Sequence, residues 1–471
     1  MNWTYFLPEL GMLAAVLVFL VLACLPPDDG RNHAAAVCLG GLVAVLAIYC
    51  AGKTDYLLDS VYQVDLFSQV FKILLSFGFL LVVFLCRELN GIAPRHRTEC
   101  YLLLSVSTLA LMLLVSSVHL VAIYIALELS SYSLYVLVFL RKESQWGLRS
   151  GLRYFLMGIC ASAIMLFGLA LIYGVTGELH LNALMQLPVQ TMANPVVAAG
   201  VLMTLGGFFF KLAIFPFHFW APDAYEGAPN QVAAFISTAS KVAAIAVLIR
   251  LVDGFHGVAP LLTRGLMVLA VVTMTVGNLC AIGQKDFKRL MAFSSIAQAG
   301  YLLVGILCMT PAGYVGTIFY VAAVLVMKFT CFMVMHRVAE DGRNLQIAEL
   351  AGLHRRSPLL ALALMMALFG LAGIPPTIGF AGKLLIFKAA IEKGYLALVI
   401  IAMINVVISL YYYLLVLKAA YLTEEQTPQP ALTLSLPARA LAIMMVVAIV
   451  AIGFYPTGLF RLVHAAVLVL N

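Results

Sequence analysis

Four lysines, one glutamate and one histidine stand inside stretches of this chain that are otherwise almost wholly apolar. They are Glu128 in LVAIYIALELSSYSLYVLVF, Lys211 and His218 in GGFFFKLAIFPFHFW, Lys241 in STASKVAAIAVLIR, Lys328 in AVLVMKFTCFMVM and Lys383 in GFAGKLLIFK. In hydrocarbon a lysine costs roughly 2.5–3.5 kcal/mol on insertion scales, so it is kept only where a partner or a wet cavity compensates it. Such a set suits the handing on of protons. An amine that is held charged beside an acid, and is freed to lose its proton when separated from it, is a switchable carrier. Lifting one proton against a membrane potential takes about 2.3 kcal/mol per 100 mV, a size that making and breaking one buried pair supplies. Glu128 and Lys211 are expected to form that pair, with Lys241 as the next station and Lys328 and Lys383 as the onward path.

His218 has two readings, a proton relay near neutral pH or a hydrogen-bonded plug in the break that precedes it. Lys72 and Lys388 stand nearer the ends of apolar runs, where snorkelling explains them. Asp223 and Glu226 are expected to cap the helix that follows the break.

The elements that must position these groups are helices. Of 471 residues 64% are hydrophobic and only 10% charged, a balance that no soluble domain keeps in solution. Runs of about the 20 residues a bilayer requires fall at 5–26, 34–51, 66–86, 99–116, 118–140, 152–175, 196–220, 229–252, 261–282, 288–309, 313–337, 358–392, 395–420 and 437–460. The fold class is therefore an all-α polytopic membrane protein of about fourteen transmembrane helices. Proline removes a helix donor and clashes with the preceding turn. Pro216 after Lys211, and Pro375 with Pro376 before Lys383, thus predict broken helices in spans seven and twelve, with freed carbonyls near the amines.

Those two spans are an odd number apart and cross in opposite directions. Paired interrupted helices of this kind point to two inverted five-helix repeats, each containing a broken helix. The expected organisation is an N-terminal three-helix segment, 1–98, a first repeat, 99–252, a second repeat, 253–420, and a C-terminal span, 421–471. Positive charges gather in alternate loops: Arg87, Arg95 and Arg97 in the third, Arg141, Lys142, Arg149 and Arg153 in the fifth, Lys285, Lys288 and Arg289 in the ninth, Arg337, Arg343, Arg355 and Arg356 in the eleventh. The odd loops are therefore expected in the cytoplasm and both termini outside. The seventh loop, APDAYEGAPN, has two acids and no base, so it is expected to pack into the protein.

The net charge of +7 is carried mainly by those loops, which argues against nucleic-acid binding. Nine cysteines are scattered with no CxxC pair, which excludes a disulfide framework, a zinc cluster and an iron–sulfur cluster. No GxGxxG follows a strand and no Walker loop or CxxCH is present, so no cofactor is expected in this chain. The N-terminal VLAC resembles a lipoprotein cleavage box but lacks a positive region before it, and a retained first span is expected.

The segments FKLAIFPFHFWAPDAYEGAPNQVAAFISTASKVAA, ALELSSYSLYVLV and RSGLRYFLMGICASA resemble the antiporter-like subunits of respiratory complex I. GIPPTIGFAGKLLIF, with its lysine after the break, is similar to the branch called subunit N of NADH-quinone oxidoreductase. A glutamate at that place would fit the M branch, and a long lateral helix after the last span the L branch; this chain ends at Asn471. The resemblance implies a proton-translocating role in the bacterial inner membrane, with Glu128 as modulator, Lys211 as switching carrier, Lys241 as central relay, and Lys328 and Lys383 beyond. It also implies relatives of subunits M, L, K and J as partners, with flavin, iron–sulfur clusters and quinone in partner subunits. Two positions depart from that branch: Arg153 stands where a lysine is expected, and Lys328 where an uncharged residue is. Other readings are a cation/proton antiporter subunit of the multi-subunit type, the equivalent subunit of a ferredoxin-, F420H2- or hydrogenase-driven complex, and a structural scaffold that transports nothing.

Overall fold

The computed structural model describes residues 3–58, 60–141, 145–255, 259–424 and 430–470; Lys142 of the fifth loop and Asn471 lie outside them. The first helices are α1 (Leu7–Ala23) and α2 (Asp29–Tyr49), followed by a hairpin of β1 (Asp55–Leu57) and β2 (Tyr62–Val64). Then come α3 (Leu66–Leu85), α4 (Arg97–Ser116), α5 (Leu120–Phe139), α6 (Gln145–Thr176), two single turns α7 (Leu181–Leu184) and α8 (Val189–Met192), and α9 (Pro195–Leu212). After the first break lie α10 (Trp220–Gly227), α11 (Asn230–Ser237) and α12 (Ala239–Gly254). The second half holds α13 (Ala259–Ile282), α14 (Phe287–Ile306), α15 (Pro311–Val338), a turn α16 (Leu353–Arg356), α17 (Pro358–Ala372), α18 (Ile378–Glu392), α19 (Leu396–Leu422), α20 (Leu436–Phe454) and α21 (Thr457–Leu468).

Among the described residues 13 helical stretches are long and apolar enough to span a bilayer. The twelfth expected span is instead two half-helices, α17 and α18, on either side of the predicted break. Span fourteen differs from expectation: it stops at Phe454, and α21 turns away to pack on α15 and α3. Span eight also differs. Ser237 and Thr238 both bond back to the Ala234 carbonyl, at 2.9 and 2.7 Å, which draws the helix off its ladder and separates α11 from α12 at Thr238. The hairpin, α7 and α8 have no counterpart in the expected spans.

The crossings sort the loops onto two faces. A cavity on one face is walled by Gln63, Val118, Leu181, Asp253 and Leu470, from the second, fourth, sixth and eighth loops and the C-terminal end. Phe6 packs on Tyr62 at that face, so both ends of the described chain lie there. On the other face, bridges join Ile92 to Arg141 and Asp286 to Gln346, and Asn90 donates to the Glu340 carbonyl. The even and odd loops thus form opposite surfaces.

The stretch Asn230–Gly254 and helix α15, apart from its ends, are enclosed by protein, whereas α1, α2 and α20 turn most of their surface outward. The helices that carry Lys241 and Lys328 are therefore the ones farthest from lipid, where a charge costs least. The N-terminal segment is tied in by charge as well as packing. Lys72 does not snorkel to water as expected: it is fully buried, with its Nζ 2.7 Å from Glu9 of α1. Arg250 of α12 grips both oxygens of Asp65, at 2.8 and 2.7 Å, while Asp65 also caps α3 through the Ser68 amide. Lys388 is 70% exposed and does snorkel.

Removing one partner of a buried ion pair leaves an uncompensated charge, at about 3–5 kcal/mol. Arg250→Leu is expected to lower the midpoint of thermal unfolding in detergent, and Arg250→Leu combined with Asp65→Asn, which keeps the cap, to recover most of the loss.

Candidate functional site

Both breaks end in the same way. At the first, Ala213 takes a left-handed conformation (φ +59°), and the Ile214 amide reaches back 2.8 Å to the Phe209 carbonyl. At the second, Gly373 takes it (φ +87°), and Ile374 reaches back 2.9 Å to Phe369. These are Schellman turns, which satisfy some of the carbonyls a helix leaves open and not others. The X-Pro bonds Phe215–Pro216 and Pro375–Pro376 are both cis.

Side chains reach further carbonyls at each break. Trp220 Nε1 donates to Phe210 at 2.9 Å, and Lys241 Nζ donates to Leu212 at 3.1 Å. At the second break Lys383 Nζ donates to Leu371 at 2.8 Å and to Ala372 at 3.2 Å, and lies 4.5 Å from the ring centre of Tyr301. The carbonyls freed at the second break hold Lys383, as expected, whereas one freed at the first holds Lys241 and not the expected Lys211.

Lys211 and Glu128 are not in contact, contrary to the expected pair. Lys211 Nζ donates to Ser130 Oγ at 2.9 Å and Ser131 Oγ at 3.0 Å, on the turn of α5 that follows Glu128. Glu128 accepts from Ser162 of α6, and its Oε2 is buried without a hydrogen bond. Lys328 is fully buried and does not snorkel: its Nζ donates to the Met291 carbonyl at 2.8 Å and to Ser294 Oγ at 2.7 Å.

One face of α14 joins these amines. Met291, Ser294, Ser295 and Gln298 recur at helical spacing and present their polar atoms on one side. Lys241 Nζ also reaches the Ser295 carbonyl at 3.4 Å. Ser294 shares a hydrogen bond with Tyr413 of α19, Gln298 Nε2 donates to Tyr413 at 3.4 Å and to the Leu371 carbonyl at 3.2 Å, and Leu371 holds Lys383. Tyr320 of α15 donates to Gln298 Oε1. From Lys328 to Lys383 every link is a hydrogen bond between buried groups. Gln298, Ser294, Ser295, Tyr320 and Tyr413 were not among the residues expected from the sequence. FSSIAQAGY, inside the tenth span, carries a signal for Ser294, Ser295 and Gln298; Tyr320 and Tyr413 have none of their own.

His218 is placed apart from this line. Its ring lies against Phe215 and Phe219, with centres 5.5 and 4.2 Å away, and its Nδ1 is buried without a hydrogen bond. Asp223 and Glu226 do not cap α10, whose N-terminal residue Phe219 makes no side-chain cap. Instead Arg289 bonds both at 2.9 Å and Arg153 bonds Asp223 at 2.6 Å. The acidic seventh loop is thereby packed against the ninth, as its lack of bases implied.

Over residues 117–409, which contain all five members of the Glu/Lys set, the sequence matches the family described as NADH:quinone oxidoreductase/Mrp antiporter, TM. The chain belongs to this family. It is 55% identical over 467 residues to NADH-quinone oxidoreductase subunit N 2 of Syntrophobacter fumaroxidans, with 99% of each chain covered. Its fold matches a chain of respiratory complex I from Thermus thermophilus with a TM-score of 0.84 at 33% identity, covering 96% of this chain and 98% of that one. It also matches a chain of the Mrp complex from Dietzia sp. with a TM-score of 0.87, over 99% and 97% of the two chains; at 21% identity that is a likeness of fold alone.

Leaving a buried hydrogen-bonding group without its partner costs about 1–3 kcal/mol. Gln298→Leu severs Tyr413 from Leu371, and is expected to slow proton transfer by the assembled complex about tenfold or more, read as the initial rate of acidification in proteoliposomes.

Proposed function

We propose that this chain is a proton-translocating membrane-arm subunit of an NADH-quinone oxidoreductase, driven by quinone reduction in other subunits of the complex. The observation that carries this reading is the buried line of amines strung along α14. Four lysines are held in the protein interior by carbonyls and hydroxyls, three of them joined through one helix face. Neutral acceptors of this kind hold an amine in place without fixing its charge by a counter-ion.

Glu128 acts as the modulator and Lys211 as the switching carrier. The amine rests on Ser130 and Ser131, within a turn of Glu128 on the same helix, so a movement along α5 of a few ångströms would close the pair. Lys241 is the central relay, with Lys328 and Lys383 beyond it. His218 contributes to the break and is the least connected of the set. NADH, flavin, iron–sulfur and quinone chemistry belong to partner chains, among them relatives of subunits M, L, K and J.

The chain is a multi-pass membrane protein, and we place it in the bacterial inner membrane with the odd loops in the cytoplasm and both termini in the periplasm, on the distribution of Lys and Arg. Residues 99–252 and 253–420 are read as inverted repeats, with 1–98 and 421–471 outside them. Support comes from the twin Schellman breaks and from similar packing: α4 on α5, α5 on α6, α6 on α9 and α12 on α4, beside α13 on α14, α14 on α15, α15 on α17 and α19 on α13.

The family description, which names the Mrp antiporter beside the quinone oxidoreductase, supports a second reading, a cation/proton antiporter subunit. Rescue of growth in sodium without any effect on NADH oxidation would decide for it. For the main reading, Lys211→Ala and Glu128→Ala are each expected to depress protons moved per NADH oxidised several-fold in assembled enzyme. Lys211→Arg is expected to be as impaired as Lys211→Ala, because a guanidinium keeps its proton. Normal ratios in all three would remove the assigned roles.

A further inference from the structure

One more buried amine has no part in the reading above. Lys288, counted with the bases of the ninth loop, is the second residue of α14 and is fully buried. Its Nζ donates at 2.8 Å to the carbonyl of Ala228, where α10 ends. Among the described residues no carboxylate comes within ion-pair distance of it, and Asp286 and Glu226 act on it from further off. Lys241 and Lys383 have the same setting, an amine resting on a carbonyl left open where a helix stops.

Lys288 carries the polar face of α14 out to the odd-loop surface. Lys288, Met291, Ser295 and Gln298 recur at spacings of three and four along one side of the helix. Lys328 rests on the Met291 carbonyl, one turn beyond Lys288. A second link runs through α10. Tyr225, one turn before Ala228, has its buried hydroxyl beside Ser295 without closing a hydrogen bond to it, and the Ser295 carbonyl takes Lys241 at 3.4 Å. The Tyr225 ring lies 6.3 Å from that of Phe332, one turn of α15 from Lys328. Both amide atoms of Asn230, two residues after Ala228 at the start of α11, are buried without a hydrogen bond. Open polar atoms in a native interior are where internal water sits.

Toward the surface the next group is Asp286. Its Oδ1 caps α14 by accepting from the Arg289 amide at 2.9 Å, and its Oδ2 is buried without a hydrogen bond. Burial holds this carboxyl above the usual carboxylate range, so it takes up a proton more readily than an exposed acid does. Glu226 and Asp223, partly open to solvent and tied to Arg289, lie beyond it.

Capping of α10 accounts for less of this. The gain from a cation at a helix C-terminus is small beside the cost of taking an ammonium out of water, and a half-exposed side chain would cap as well. A cap also needs no open carboxylate oxygen on one side and no open hydroxyl and amide on the other.

We propose that Asp286, Lys288 and Tyr225 form an inlet by which protons pass from the odd-loop face to the amine line on α14, a step that rests on the proton-translocating reading. A proton from water binds Asp286 Oδ2 and crosses by water to the neutral amine of Lys288. The ammonium so formed gives it up to water held at Asn230 and the Tyr225 hydroxyl, and the neutral amine of Lys328 takes it. One proton enters, one is passed on, and no electron moves.

The test measures protons moved per NADH oxidised, and the initial rate of acidification, by the whole complex in liposomes, comparing Lys288→Met, Lys288→Arg, Tyr225→Phe and Asp286→Asn with Lys211→Ala. Both Lys288 variants are expected to fall to the ratio of Lys211→Ala with normal amounts of assembled complex. Arginine separates the two roles, since a guanidinium can serve as a cap but keeps its proton. Tyr225→Phe, which removes a hydroxyl with no hydrogen bond to lose, is expected to slow acidification at least twofold, and Asp286→Asn at least threefold. A wild-type ratio in assembled Lys288→Met or Lys288→Arg overturns the inlet. If Lys211→Ala lowers the ratio in the same preparations, the failure is the inlet's alone; if it does not, the transport reading falls with it. Should both Lys288 variants fail to assemble, Asp286→Asn decides, because asparagine keeps the cap on the Arg289 amide and a wild-type rate there overturns the inlet.

Discussion

A helix that stops inside a membrane leaves carbonyls with no donor, and a lysine inside a membrane has donors with no water. Each is costly alone, and here each is the other's remedy. Leu212, Leu371 and Ala372, the residues at which two helices stop, are the acceptors for Lys241 and Lys383. Because the acceptors are neutral dipoles, the amine is oriented whether or not a counter-charge is present. Much of the architecture follows from keeping these couples dry on the outside and connected on the inside.

Enclosure is the first consequence. The helices that carry Lys241 and Lys328 are enclosed by protein along their middles, and the apolar exterior is supplied by α1, α2, α20 and the outer sides of α13 and α19. Connection is the second. A helix surrounded on all sides can spare one face for polar residues without exposing them to lipid, and α14 does so with Ser294, Ser295 and Gln298. Three of the four amines meet on that face. Lys211 stands apart from that face, held by Ser130 and Ser131 of α5.

Much of this was legible in the sequence because charge in hydrocarbon is so costly that it is conspicuous. The buried amines, both breaks, the half-helices of span twelve and the inward packing of the seventh loop all follow from single residues against an apolar background. What was not legible depends on where side chains end. Lys72 has the position of a snorkelling lysine, and only the approach of Glu9, from 63 residues earlier, makes it an ion pair. Asp223 and Glu226 have the spacing of caps, but Arg289 and Arg153 reach them first. Gln298 and Tyr413 are weakly polar residues in long apolar runs, and their pairing is a matter of helix packing that no local pattern records. The kink at Thr238 comes from two adjacent hydroxyls competing for one carbonyl, a signal too small to separate from ordinary serine and threonine in a membrane helix.

The two breaks, so alike in backbone, are served by lysines from different places, and this asymmetry bears on how the halves work together. Lys241 comes from α12, a separate helix that follows the first break, so the distance between amine and carbonyl can change when α12 shifts about its kink at Thr238. Lys383 comes from α18, the continuation of the broken helix itself, twelve residues from its acceptor Leu371, and moves with it. The first half thus has a contact made by a different helix, while the second has one made across its own break. The row of buried amines is therefore not symmetric, although the two breaks that help to hold it are.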